Sequence, residues 1–166
     1  MKTKDMVFAA SIAAIYFALT VTLGPLSYGP IQFRVSEFLK FFALFNPWTG
    51  LGLAIGDLLS SMVSPYIGPW EMIFMPLADA IGATLVFHLF RLLKQAEWAK
   101  YLLMALYAIL TGLAVASMMY AFGADLFFPL LVSITISELI ILLASVPIGN
   151  QLVKAMKAIN SRMFTE

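Results

Sequence analysis

The stretch Gly24-Pro25-Leu26-Ser27-Tyr28-Gly29-Pro30-Ile31-Gln32-Phe33-Arg34-Val35-Ser36-Glu37 joins two apolar runs. Two prolines, two glycines, a tyrosine, a glutamine, an arginine and a glutamate in fourteen residues exceed what a connecting loop needs. They suit a lid over a site for a polar ligand. Acidic residues recur within the apolar runs that follow: Asp57, Glu71, Asp79 and Glu138. A charge at mid-bilayer costs about 2.5–3.5 kcal/mol on the milder scale, so such residues face the protein interior and often serve function. Glu71, Met75 and Asp79, spaced by four, form one helical stripe running inward from the surface. Asp57 heads another with Ser60, Ser61 and Ser64, for which hydrogen bonding between helices is as good a reading as ligand contact. Glu37 can pair with Arg34 at i−3 or Lys40 at i+3. Glu138 lies roughly 15 Å into its run by helical rise, with no basic residue within a turn. It reads as a ligand contact or as a protonated carboxyl bonded to another helix.

Aromatic residues gather at the same edge: Tyr28, Tyr66, Trp70, Tyr120 and Phe122. They suit stacking on a flat ligand or an interfacial belt. A carboxylate takes two parallel hydrogen bonds from an amidine-like edge, such as the N1–H and amino group of a guanine-type base. A second carboxylate can neutralise an amine. The implied ligand is small, flat and rich in donors, with a cationic one accommodated.

These groups are positioned by six apolar runs, Met6–Leu23, Pro30–Asn46, Trp48–Val63, Trp70–Leu92, Trp98–Phe122 and Phe128–Val146. Spanning a bilayer core takes roughly 20 helical residues. The second run is short, would reach only ~24 Å as an α-helix, and holds Arg34, Glu37 and Lys40; it must pack within protein or re-enter. Pro147 is expected to bend or end the sixth. The expected architecture is an all-α integral membrane protein of six transmembrane helices, one domain over 1–166. Met1-Lys2-Thr3-Lys4-Asp5 and the run after it read as a retained first helix. Lysine and arginine bias places both termini in the cytoplasm: Lys2, Lys4, Arg91, Lys94, Lys100, Lys154, Lys157 and Arg162 fall inside, and Arg34 falls outside. On the first helix Ala10, Ala14 and Ala18 share a face that lets another helix approach closely, its own or a partner's.

At 166 residues, 62% hydrophobic and 11% charged, the chain has too much apolar surface for a soluble domain of its size. The net charge of +1 offers no electrostatic case for nucleic acid. The absence of cysteine removes disulfides and thiolate chemistry. The single histidine, His88, falls on roughly the opposite helix face from Asp79 and reads as interfacial. No Gly-x-Ser-x-Gly elbow, His-Glu-x-x-His pair or phosphate-binding G-x-x-x-x-G-K-[ST] loop occurs, so an enzyme is not expected and any ATP would be hydrolysed by a partner.

The motif from Gly24 to Glu37 resembles the queuosine-precursor transporter family, substrate-binding S-components of energy-coupling-factor (ECF) transporters. The likeness extends more loosely over the chain, including Ser64-Pro65 and Glu71 to Phe74. It implies a six-helix bundle that binds a 7-deazaguanine, such as 7-aminomethyl-7-deazaguanine, from outside and needs no cofactor of its own. It also implies docking through the alanine face onto a transmembrane subunit, with two ATPase subunits driving release inside. On this resemblance Gln32 and Arg34 close the lid and meet the carbonyl edge. Glu37, Glu71, Asp79 and Glu138 are candidates for the donor edge and the amine; Tyr28, Trp70 and Tyr120 are candidates for stacking. One departure is Met75-Pro76-Leu77-Ala78-Asp79, where a glycine followed by small residues is expected. The rival readings are an S-component for another vitamin such as thiamin, and a standalone proton-coupled carrier using Glu138 and Asp79.

Overall fold

A computed structural model describes residues 2–29, 32–124 and 126–159, with side chains as far as 155. Pro30 and Ile31 of the first loop and Arg162 of the tail lie outside the described residues. The described chain is helical, without strands. Helix α1 spans Thr3–Thr22, and a one-turn α2 spans Gly24–Ser27. A 3-10 helix follows over Val35–Leu44, then α3 over Thr49–Ser61. Helix α4, Met75–Leu92, is entered through a π-helical turn at Trp70–Phe74. Helices α5, Glu97–Ala121, and α6, Phe127–Ile159, complete the bundle.

Four of these are long and apolar enough to cross a membrane: α1, the π turn with α4, α5 and α6. The 3-10 helix and α3 have 10 and 13 residues, too few to cross alone. Each would reach ~20 Å, because a 3-10 helix rises about 2.0 Å per residue against 1.5 Å for an α-helix. Interactions at the two ends show how the elements alternate. Lys100 meets Asn150 and lies over the Phe45 ring at one end, while Tyr28 meets Ser60 and Gln32 meets Met119 at the other.

Of the two outcomes expected of Pro147, ending α6 does not occur; the helix runs on to Ile159. Proline inside a membrane bundle is tolerated when neighbouring groups hold the helix on both sides. Here the Ser145 hydroxyl donates to the Leu142 carbonyl at 2.6 Å, and Gly149 packs closely under the Phe41 ring.

The 3-10 helix is the axis of the bundle. It touches α1, α3, α4, α5 and α6, and every residue except Val35 and Phe38 is buried. Phe41, Phe42 and Leu44 anchor the main core with Tyr16, Leu53, Phe90, Tyr107, Leu142 and Val146. Runs this long are uncommon for 3-10 geometry, in which residues three apart eclipse. The sequence has that period where it matters: Arg34, Glu37 and Lys40 fall in one row. In an α-helix successive members would rotate by about 60°, and the row would fan out.

Helix α1 uses its two sides differently. Ala9, Ile12, Ala13 and Tyr16 are buried against α3. A Cβ added at Gly52 would lie 2.6 Å from the Ala9 carbonyl oxygen, and one at Gly56 2.8 Å from Tyr16 Cβ. The two glycines therefore set the α1–α3 spacing and the depth of Tyr16. Ala10, Ala14 and Ala18 are exposed on the other side. Gly52→Ala should lower stability by about 1–3 kcal/mol through overpacking, whereas Ala14→Leu should leave it unchanged. Thermal unfolding of the detergent-solubilised protein measures both.

Candidate functional site

The row Arg34-Glu37-Lys40 points into the middle of the bundle and meets polar residues of α1, α3, α4 and α5. Lys40, at its inner end, is fully engaged. Its ammonium pairs with Glu37 one turn back, with Asp79 Oδ1 at 2.8 Å, and with Thr111 Oγ1 at 2.8 Å. The Tyr107 ring covers it at 4.7 Å from Nζ to centroid, and the Tyr107 hydroxyl donates to the Asp79 carbonyl at 2.8 Å. An ammonium has three N–H donors, so three acceptors leave none spare. This end of the cluster is a strut tying the 3-10 helix to α4 and α5.

Arg34, at the outer end, is only partly engaged. Its Nη1 contacts Asp57 Oδ1 at 3.3 Å, and its Nε donates to the Ser27 carbonyl at 3.4 Å. Nη2 lies 4.0 Å from Glu71 Oε1, too far for a hydrogen bond. The Tyr28 ring lies 5.8 Å from the guanidinium, and the Tyr28 hydroxyl donates to the Ser60 carbonyl at 2.8 Å. Gln32 adopts a left-handed backbone, φ 49°, and is 1% exposed. Its amide donates to Met119 Sδ at 3.2 Å, which fastens the loop to α5. Non-glycine residues held at positive φ cluster at ligand clamps. Tyr16 joins the two ends, donating to Glu37 Oε1 at 2.5 Å with Asp57 Oδ1 3.5 Å away.

Much of the unused hydrogen-bonding capacity lies at the outer end. Gln32 Oε1, Arg34 Nη2, Asp57 Oδ2 and both Glu71 oxygens are buried without a hydrogen-bond partner among the described residues, as is Glu138 Oε2. Each such atom costs about 1–3 kcal/mol, so a group of them on four elements makes this end the candidate ligand site. The groups on offer are one charged donor, an amide oxygen and several carboxylate oxygens. They match a planar ligand with a carbonyl, an N–H edge and a positive charge. A separate cavity of about 360 Å³ opens between α4 and α5. Exposed Leu77, Ile81 and Leu85 line it, and it reaches Asp79, Tyr107 and Thr111, the residues that hold Lys40. Its apolar walls do not suit a polar ligand.

Of the candidates named from sequence, Gln32, Arg34, Glu37, Glu71, Asp79 and Glu138 are all buried in this region, and Tyr28 borders it half-buried. Trp70 and Tyr120 are not there. They are 55% and 57% exposed and pack edge-on against Phe74 and Phe127. Successive helical residues point about 100° apart, so turning Glu71 inward turns Trp70 outward. On α5, Met118 and Met119 take the buried side at the level of Tyr120. Both rings sit as an interfacial belt would. Sequence reading passed over Tyr16 and Thr111, treated Lys40 only as a partner for Glu37, and left Asp57 between two readings. The three-residue spacing of Arg34, Glu37 and Lys40 was the available signal for Lys40; nothing distinguishes Thr111.

Removing Lys40 would leave Glu37 and Asp79 without their shared cation. Lys40→Met should therefore cost about 3–5 kcal/mol. Glu71→Gln should stay within about 1 kcal/mol of the parent, since its nearest cation, Arg34, lies 4.0 Å away. Denaturant titration of the two variants in the same detergent compares them.

Residues 6–155 match the family model described as QueT transporter. A segment of 65 residues is 49% identical to the queuosine precursor transporter QueT of Lactococcus lactis subsp. cremoris (strain MG1363). That similarity spans 38% of this chain and 38% of the relative. No solved structure gives a significant match. With the family model covering nearly the whole helical bundle, the chain belongs to the QueT transporter family.

Proposed function

We propose that this protein is the substrate-binding S-component of an ECF-type importer and that its ligand is a queuosine precursor, a 7-deazaguanine such as 7-aminomethyl-7-deazaguanine. The observation that carries this reading is the set of unpartnered polar atoms around Arg34, beneath a loop fastened by Gln32 and Tyr28. The name borne by the Lactococcus lactis relative supports the substrate class. Arg34 Nη2 and the Gln32 amide meet the carbonyl edge of the base. Glu71, with Asp57, takes its N1–H and amino donors in the bidentate manner open to a carboxylate. Tyr28 supplies a ring face, and Glu138 receives the aminomethyl cation. Glu37 and Asp79, held by Lys40, shape the floor.

The chain crosses the membrane six times, with the short 3-10 helix and α3 completing the count inside the shell of longer helices. Both termini are cytoplasmic, in keeping with the lysines and arginines beside the ends of α4 and α5. The exposed face of Ala10, Ala14 and Ala18 docks on the transmembrane subunit, and two ATPase subunits supply the energy. The protein itself carries out no catalysis and needs no cofactor.

Calorimetry of the purified protein with 7-aminomethyl-7-deazaguanine, guanine and thiamin tests the assignment. Submicromolar binding of the deazaguanine alone is expected. Arg34→Met should weaken it by about 10- to 150-fold, the worth of a charge-assisted hydrogen bond of roughly 1.5–3 kcal/mol. Equal or tighter binding of thiamin would refute the substrate. Ala14→Leu should abolish copurification with the other subunits while leaving ligand affinity intact.

A further inference from the structure

The buried cluster is short of positive charge. Glu37, Asp57, Glu71, Asp79 and Glu138 are each no more than 4% exposed. The cations that pair within the cluster are Arg34 and Lys40. Lys40 is committed to Glu37 and Asp79, and Arg34 to Asp57, with Glu71 at 4.0 Å. Glu138 makes no ion pair among the described residues, and its Oε2 accepts no hydrogen bond. The charged groups in electrostatic reach are Arg34, Glu37 and Lys40 from the 3-10 segment and Asp79 from α4. Two of the four are themselves acidic. Lys40 is already paired with Glu37 and Asp79 and bonded to Thr111, and it makes no ion pair with Glu138. An ionised carboxylate left unpaired in such a place costs several kcal/mol. The neutral acid, still able to hydrogen-bond, costs far less.

We infer that Glu138 holds a proton in the empty site and surrenders it when a cationic ligand enters, so that one ammonium replaces one proton. This rests on the reading of the cluster as the ligand site. The Glu138 O–H bond breaks, the carboxylate forms an ion pair with the ligand ammonium, and the proton passes to water. The buried charge is the same before and after, because a neutral acid gives way to a neutral pair. A ligand with the same base but no amine has no such exchange to drive.

Proton release is measured by calorimetry in buffers of different ionisation enthalpy at one pH. With 7-aminomethyl-7-deazaguanine about one proton should be released per ligand bound. With the 7-hydroxymethyl isostere the release should be near zero. Glu138→Gln should abolish release with the amine, and Glu97→Gln, at an exposed carboxyl at the opposite end of the bundle, should preserve it. Tight binding of the amine without proton release, or undiminished release in Glu138→Gln, would overturn the inference. A second measurement needs no ligand. The infrared spectrum of the empty protein at neutral pH should contain a protonated-carboxyl stretch that Glu138→Gln lacks. Identical spectra would mean that Glu138 is ionised and would sink the proton site even if the deazaguanine binds. Failure of the deazaguanine to bind while that band is present would sink the ligand and leave the proton site standing. Glutamine is the neutral isostere, so the variant should unfold with the parent. A large loss of stability would itself argue for an ionised carboxylate.

Discussion

Lys40 is a primary ammonium at the centre of an apolar bundle, and much of the structure follows from the need to satisfy it. Its three donors take Glu37 from its own helix, Asp79 from α4 and Thr111 from α5, with the Tyr107 ring alongside. An α-helix would rotate Glu37 out of line with Lys40 and Arg34, whereas the 3-10 form stacks them. That form in turn demands cover on all sides, because it is too short to cross the membrane alone and too polar to face lipid. The longer helices supply the cover, and the Gly52–Gly56 approach brings Tyr16 near enough to reach Glu37 and Asp57.

The same row leaves one end of the cluster paired and the other with bonding capacity to spare. The saturated lysine fixes the inner end. The arginine, with five donors in a planar fork, is left with Nη2 unused, and its neighbours Asp57, Glu71 and Gln32 each keep an acceptor in reserve. The loop above is fastened by two modest links, Tyr28 to a backbone carbonyl and Gln32 to a thioether.

Much of this was legible in the residues. The loop from Gly24 to Glu37, the acidic positions in the spans and the bounds of the fourth run emerge from composition and spacing. So does the short second run, whose need for protein packing follows from its charges. Other features depend on three-dimensional neighbours. Pro147 signals a break in isolation, but α6 runs on through it, with Ser145 bonded to Leu142 and Gly149 seated under the Phe41 ring. Trp70 and Tyr120 belong to the right end of the molecule, yet the helical phase set by Glu71 and by Met118–Met119 turns them outward. Tyr16 and Thr111 belong to largely apolar helices, and only their position opposite the 3-10 helix gives them a role.

The central claim is that the unused edge of Arg34 receives the ligand. Solid-state NMR can measure it directly in membranes, with arginine labelled by 15N and the base labelled by 13C at its carbonyl. The account predicts strong dipolar coupling between an Arg34 Nη and that carbonyl, consistent with a hydrogen bond of about 2.7–3.2 Å between nitrogen and oxygen, and loss of the signal in Arg34→Met. Tightly bound ligand showing no coupling to any arginine would contradict it.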